Sequence, residues 1–112
     1  MAEYSNGRKN LSRVLSHYDQ GILNSNDRNQ WNIELNKRRE LLNRINSLSG
    51  QIPPYSIYKE HHSLLQQMLS NAIDAMENFA NNENSSNRSY ISSVSSKNSA
   101  IMNRLKRFYG VR

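Results

Sequence analysis

Residues 53–79, PPYSIYKEHHSLLQQMLSNAIDAMENF, limit what this chain can fold into more than any other stretch. Two prolines cannot continue a preceding helix, yet Pro54 suits a first helical turn, where its missing N–H would be unpaired in any case. Beyond them Ile57, Tyr58, His61, Leu64, Leu65, Met68, Leu69, Ala72, Ile73, Met76 and Phe79 recur at steps of three and four. That spacing puts them on one side of a helix and predicts a helical segment over residues 54–81. The stripe is broad enough to touch two neighbouring helices, so the segment reads as the central helix of a bundle.

The rest of the chain must supply those neighbours. Only 36% of the residues are hydrophobic and the mean hydropathy is -0.87, so every apolar side chain has to fall on a buried face. An all-α antiparallel bundle meets that demand, and 112 residues make one domain, residues 1–112, rather than two. Tyr4, Leu11, Val14, Leu15, Tyr18 and Ile22 predict a helix over about 5–23, weakened at Gly21 and the polar run 24–27. Trp31, Leu35, Leu41, Leu42, Ile45 and Leu48 predict one over about 27–48, ended by Ser49, by Gly50 as a left-handed cap and by the prolines. Tyr90, Val94, Ile101, Leu105 and Phe108 predict a last helix over about 86–108, thin in apolar area because serines fill its middle. An unbroken helix over the first two segments would be about 65 Å long and overhang its partners, which favours a kink or turn at 24–27. The architecture is therefore an up-and-down bundle of three long helices with the first kinked, or of four helices.

Two residues of the second helix carry alternatives. Trp31 is either its core anchor or an exposed interface residue. Arg38 falls in the buried phase, where its stem can lie along apolar surface with the charge outside. Glu34 with Arg38, and Glu40 with Arg44, are acid-before-base pairs four apart, a helix-stabilising arrangement on an exposed face.

Charge is unevenly placed. Residues 1–83 hold nine basic and nine acidic side chains, so the formal net charge of +6 comes from Arg88, Lys97, Arg104, Lys106, Arg107 and Arg112 in the last helix and the residues after it. The second and last helices of an up-and-down bundle run the same way. Lys37, Arg38, Arg39 and Arg44 are thus expected to approach Arg104, Lys106 and Arg107, with Tyr109 beside them, as a patch for an anionic partner. The plainer role of such cations is to complement helix dipoles at C-terminal ends.

Nothing in the sequence arranges chemistry. His61 and His62 are adjacent and so point about 100° apart on a helix, unsuited to one metal ion; His61 is expected to be packed and His62 more exposed. Asp74 and Glu77 could share a face but lack the Glu-x-x-His pattern of a di-iron bundle. No serine lies in a nucleophile elbow or an S-x-x-K motif, and with no cysteine there is no disulfide framework. We expect no enzyme activity, no cofactor and no metal. No apolar run approaches a membrane span, and the sequence as it stands reads as soluble and cytoplasmic.

Ile52-Pro53-Pro54, then Tyr58-Lys59 and His61, opening an amphipathic helix after a Trp-bearing long helix, resembles the helical domain of small secreted lipoproteins of low-GC Gram-positive bacteria. The resemblance covers residues 28–82 and implies a long helical hairpin that binds other proteins. It implies an extracytoplasmic location only for a trimmed mature form, because the lipid-bearing cysteine of those proteins has no counterpart here. The expected function is a protein-protein interaction module, self-association included. The alternative is a small basic nucleic-acid-associated protein that binds phosphates through the basic end of the bundle.

Overall fold

The computed structural model describes residues 2–51 and 57–108, with side chains over 7–51 and 57–107. Four α-helices follow one another: α1 Ala2–Asp19, α2 Ser25–Ser47, α3 Ile57–Asn81 and α4 Ser85–Phe108, with a short 3₁₀ turn Ser49–Gln51 after α2. Each packs on the next, α1 on α2, α2 on α3 and α3 on α4, in an elongated body of 48 × 28 × 24 Å. No strand occurs among the described residues. The prolines and Tyr55 lie outside them, so the expected proline entry to α3 does too.

The expected weak point between the first two helices is a complete turn. Gly21 has φ +73°, the left-handed conformation that suits glycine. It lets Ile22 N–H donate to His17 O at 2.9 Å and Gly21 N–H to Tyr18 O at 3.0 Å, which closes α1 with a Schellman pair of bonds. The helix therefore stops at Asp19 rather than near 23. Asn24 then caps α2: its side chain accepts from Asp27 N–H at 3.0 Å, while Asp27 Oδ2 accepts from Asn24 N–H at 3.1 Å. This capping box satisfies donors that the first helical turn would leave open. Gly50, expected as a left-handed cap, sits instead in the 3₁₀ turn without a positive φ. At the far turn Asn84 caps α4 by accepting from Asn87 N–H at 2.8 Å, and Asn87 Nδ2 donates to Asn78 O and Asn82 O at the end of α3.

The core is centred on Phe79. Trp31 lies against it with ring centroids 5.0 Å apart, and Tyr18 meets it edge-on at 5.1 Å and 82°. Val14, Leu35 and Met76 complete this buried cluster, so one residue of α3 gathers the apolar faces of α1 and α2. Trp31 is a core anchor, not an interface residue: it is 3% exposed, and its indole N–H donates to Met76 O at 3.0 Å. A buried indole needs such a partner, and here it also sets the register between α2 and α3. Leu64, Met68, Leu69, Val94 and Leu105 carry the core along α3 and α4. The α3 stripe is shorter than its periodicity suggests, because Ile57 and Tyr58 at its start are exposed.

Arg38 departs most from expectation. Its guanidinium is inside, not outside: the residue is 4% exposed and Glu34 only 2%, and Arg38 Nη1 donates to Glu34 Oε2 at 3.2 Å and to Glu34 O at 3.1 Å. Asn10 and Gln30 add hydrogen bonds to Glu34 Oε1, and Lys37 Nζ lies 3.6 Å from it. What reads as a solvent-exposed helix pair is thus a buried ionic cluster under α1. Gly7 lies close over it, and a Cβ there would require Glu34 Oε2 to shift. Glu40 and Arg44, by contrast, are both exposed.

Candidate functional site

The predicted cationic patch is divided by the fold. Arg38 belongs to the buried cluster. Arg39 reaches across to α3 and bonds Glu77 Oε1 at 2.9 and 3.2 Å, with Asn36 as a further acceptor at 2.9 Å. Arg104 bonds Glu60 Oε1 at 2.7 Å. Glu77 and Glu60 are separated by about 25 Å along α3, reckoned at 1.5 Å per residue, so Lys37, Arg38 and Arg39 do not meet Arg104. Arg44 is nearer that end, because its neighbour Asn46 accepts from Gln66 at 2.8 Å. Arg44, Lys106 and Arg107 are exposed and carry no ion pair among the described residues. Tyr109 lies outside the described residues.

Large apolar side chains gather with those exposed cations. The last residue before the 3₁₀ turn, Leu48, is 48% exposed, and the first two of α3, Ile57 and Tyr58, are 58% and 60% exposed. Ser49 on the turn hydrogen-bonds His62 Nε2 at 3.0 Å, which holds the end of α2 against the start of α3. Arg104 to Glu60 ties the end of α4 to the same place. The result is one end of the bundle with an apolar centre and basic surroundings. Periodicity places these apolar residues in the core; in the fold each is about half exposed or more. His61 and His62 are both half-buried here, and burial, with the charge of His62 second, lowers the His61 pKa. No group of three or more metal-ligating side chains converges among the described residues.

The opposite half of the molecule is tied by titratable groups. His17 Nδ1 lies 2.9 Å from both oxygens of the buried Asp27, so the carboxylate that caps α2 also holds the last turn of α1. Burial opposes the charge on Asp27, but the hydrogen bonds from His17 and from Asn24 N–H outweigh it and hold the pKa below the usual value. Glu34 behaves alike: burial raises its pKa, while Asn10, Arg38 and the charge of Lys37 lower it further, with a net decrease. Asp74 and Glu77 face different partners, Tyr90 OH at 2.6 Å on α4 and Arg39 on α2, so they form no shared carboxylate site.

A cleft of about 340 Å³ runs between α1 and α4, the first and last helices of the bundle. Arg88 bridges it at one end, bonding both oxygens of Asp19 at 3.0 Å and Ser92 Oγ at 2.9 Å. Asn98 on α4 donates to Met68 O at 3.0 Å, which leaves its Oδ1 buried without a partner. Ser92, Ser95 and Ser99, among the serines that make α4 thin in apolar area, line this cleft. Among the described residues no helix is long and apolar enough to cross a membrane. No protein-family model matches this chain, and no match is found among curated proteins or solved structures.

Proposed function

We propose that this protein is a non-enzymatic helical-bundle module that binds an acidic surface of another protein through the end of the bundle where α2 stops, α3 starts and α4 stops. The observation that carries the reading is the co-location of Leu48, Ile57 and Tyr58, each about half or more exposed, with the exposed Arg44, Lys106 and Arg107. An apolar centre with a charged rim is the pattern of a protein contact surface. Tyr58 is suited to an anchor, as a large side chain with few rotamers and a polar tip. Arg39 and Arg104 are already paired with carboxylates, which takes two of the expected patch cations away from the phosphates of a nucleic acid and favours the protein over it.

The test is a photo-crosslinking residue at position 58, with one at exposed Asn29 on the opposite end as control, in cells that make the protein. A specific protein adduct at 58 that is lost on combining K106E with R107E supports the proposal. An adduct with the chain itself identifies self-association as the form of the contact. Nucleic-acid adducts, or equal protein labelling from both positions, overturn it.

A further inference from the structure

We infer that the cleft between α1 and α4 is a binding site for a small amphipathic anion, a medium-chain alkyl carboxylate. This is a separate surface from the bundle end above. Its floor is apolar: Trp31 from α2 and Met68, Ala72, Ala75 and Met76 from α3. The alanines leave the space that larger side chains would fill, and methionines adapt to an occupant's shape. At about 340 Å³ the cleft is within the range of small-molecule pockets.

Charge selects the head group. Three arginines line the cleft and no carboxylate does. Arg88 is committed to Asp19, and Arg38 is engaged with Glu34. Arg8 on α1 is exposed and makes no ion pair among the described residues, which leaves it the cation open to a ligand. The Asp19–Arg88 bridge blocks one end of the trough, and Arg8 stands eleven residues, about 16 Å, back along α1 from Asp19. An alkyl chain laid along the floor toward the bridge puts its carboxylate at Arg8, with the Ser12 and Ser99 hydroxyls of the cleft lining as further donors.

Trp31, the sole tryptophan, lines the cleft and reports occupancy directly. Titration with dodecanoate below its micelle concentration is expected to change Trp31 emission saturably, and R8A to weaken binding about tenfold, the scale of one lost charge-assisted hydrogen bond. A72L is expected to abolish the change by filling the floor, with helicity by circular dichroism retained. Combining K106E with R107E, at the other surface, is expected to leave it intact. No saturable change with dodecanoate, equal affinity for the neutral dodecanol, or an R8A variant that binds like the parent would overturn the inference. So would binding to phosphatidylglycerol vesicles without binding of monomeric dodecanoate, since that would mark a membrane surface rather than a cleft.

Discussion

The two ends of this bundle are built on opposite terms. Around Phe79 the chain has four helices in section, aromatic rings in contact and carboxylates taken inside with partners for their oxygens. Around Tyr58 it has three helices in section, with Leu48, Ile57 and Tyr58 facing outward and cations outside them. The Phe79 half also exposes Ile33, and Ile22, which periodicity places in the core, lies half exposed in the turn after α1. The same amphipathic helix α3 serves both, so the difference does not come from its own pattern. It comes from what lies beside α3: α1 packs on the Phe79 half through Val14 and Tyr18, while Leu48, Ile57 and Tyr58 at the other end face outward. We expect the first half to carry more of the stability than the exposed residues of the second.

The largest expected effect breaks that contrast at its centre. F79A removes the ring that α1, α2 and α3 share and is expected to cost about 3–5 kcal/mol, a large part of the stability of a domain this size. Y58A at the other end is expected to leave the denaturation midpoint nearly unchanged. Urea unfolding followed by circular dichroism measures both, and an equal loss in the two variants would show that the ends are not distinct. Next comes the buried pair: R38A removes the partner of Glu34 Oε2 and leaves the carboxylate to Asn10, Gln30 and Lys37 on its other oxygen. Its expected cost is about 3 kcal/mol, whereas R39A, which breaks an exposed pair with Glu77, should cost less than about 1 kcal/mol.

Acid should then separate the halves without mutation. Asp27 and Glu34 both have pKa values lowered in the folded chain, so the stability they contribute is present at neutral pH. It is lost as pH falls below about 4, where unfolded carboxylates take up protons, and through the lower folded values. Both groups secure α1, and hydrogen exchange is expected to show α1 amides losing protection before those of α3; simultaneous loss would argue against α1 as the separately held element. The smallest effect belongs to the turn that ends α1. Gly21 has open space around its Cα, so G21A meets no clash and its cost is the left-handed backbone alone, about 1 kcal/mol. Thermal unfolding would show it.

Much of this was legible beforehand, and the reasons are local. The apolar spacing in 57–79 marks α3, and the Asn24-to-Asp27 spacing lies within the polar run where a turn was expected. Trp31 could be weighed as core but not settled, because an indole at a stripe position is compatible with either place until a carbonyl such as Met76 O is found for its N–H. Arg38 differs from expectation because a cation in the buried phase is ordinarily explained by its flexible stem; that α1 covers it and its carboxylate partner is a tertiary fact that α2 does not record. Of the cationic patch, Arg44, Lys106 and Arg107 stay exposed near one end, while Arg38, Arg39 and Arg104 are taken up by Glu34, Glu77 and Glu60. The α1–α4 cleft had no signal of its own, since serine spacing records a lack of apolar area and not the shape it leaves.

Periodicity, caps and the low hydrophobic content determined an all-α chain of four segments whose apolar residues point one way. Those are properties of residues three or four apart, and a helix reads them from its own sequence. Which of those residues are buried, which cations find carboxylates and where a cleft opens were decided only in the tertiary structure. They depend on which side chains another helix brings alongside, and no spacing within a single helix records what its neighbour presents.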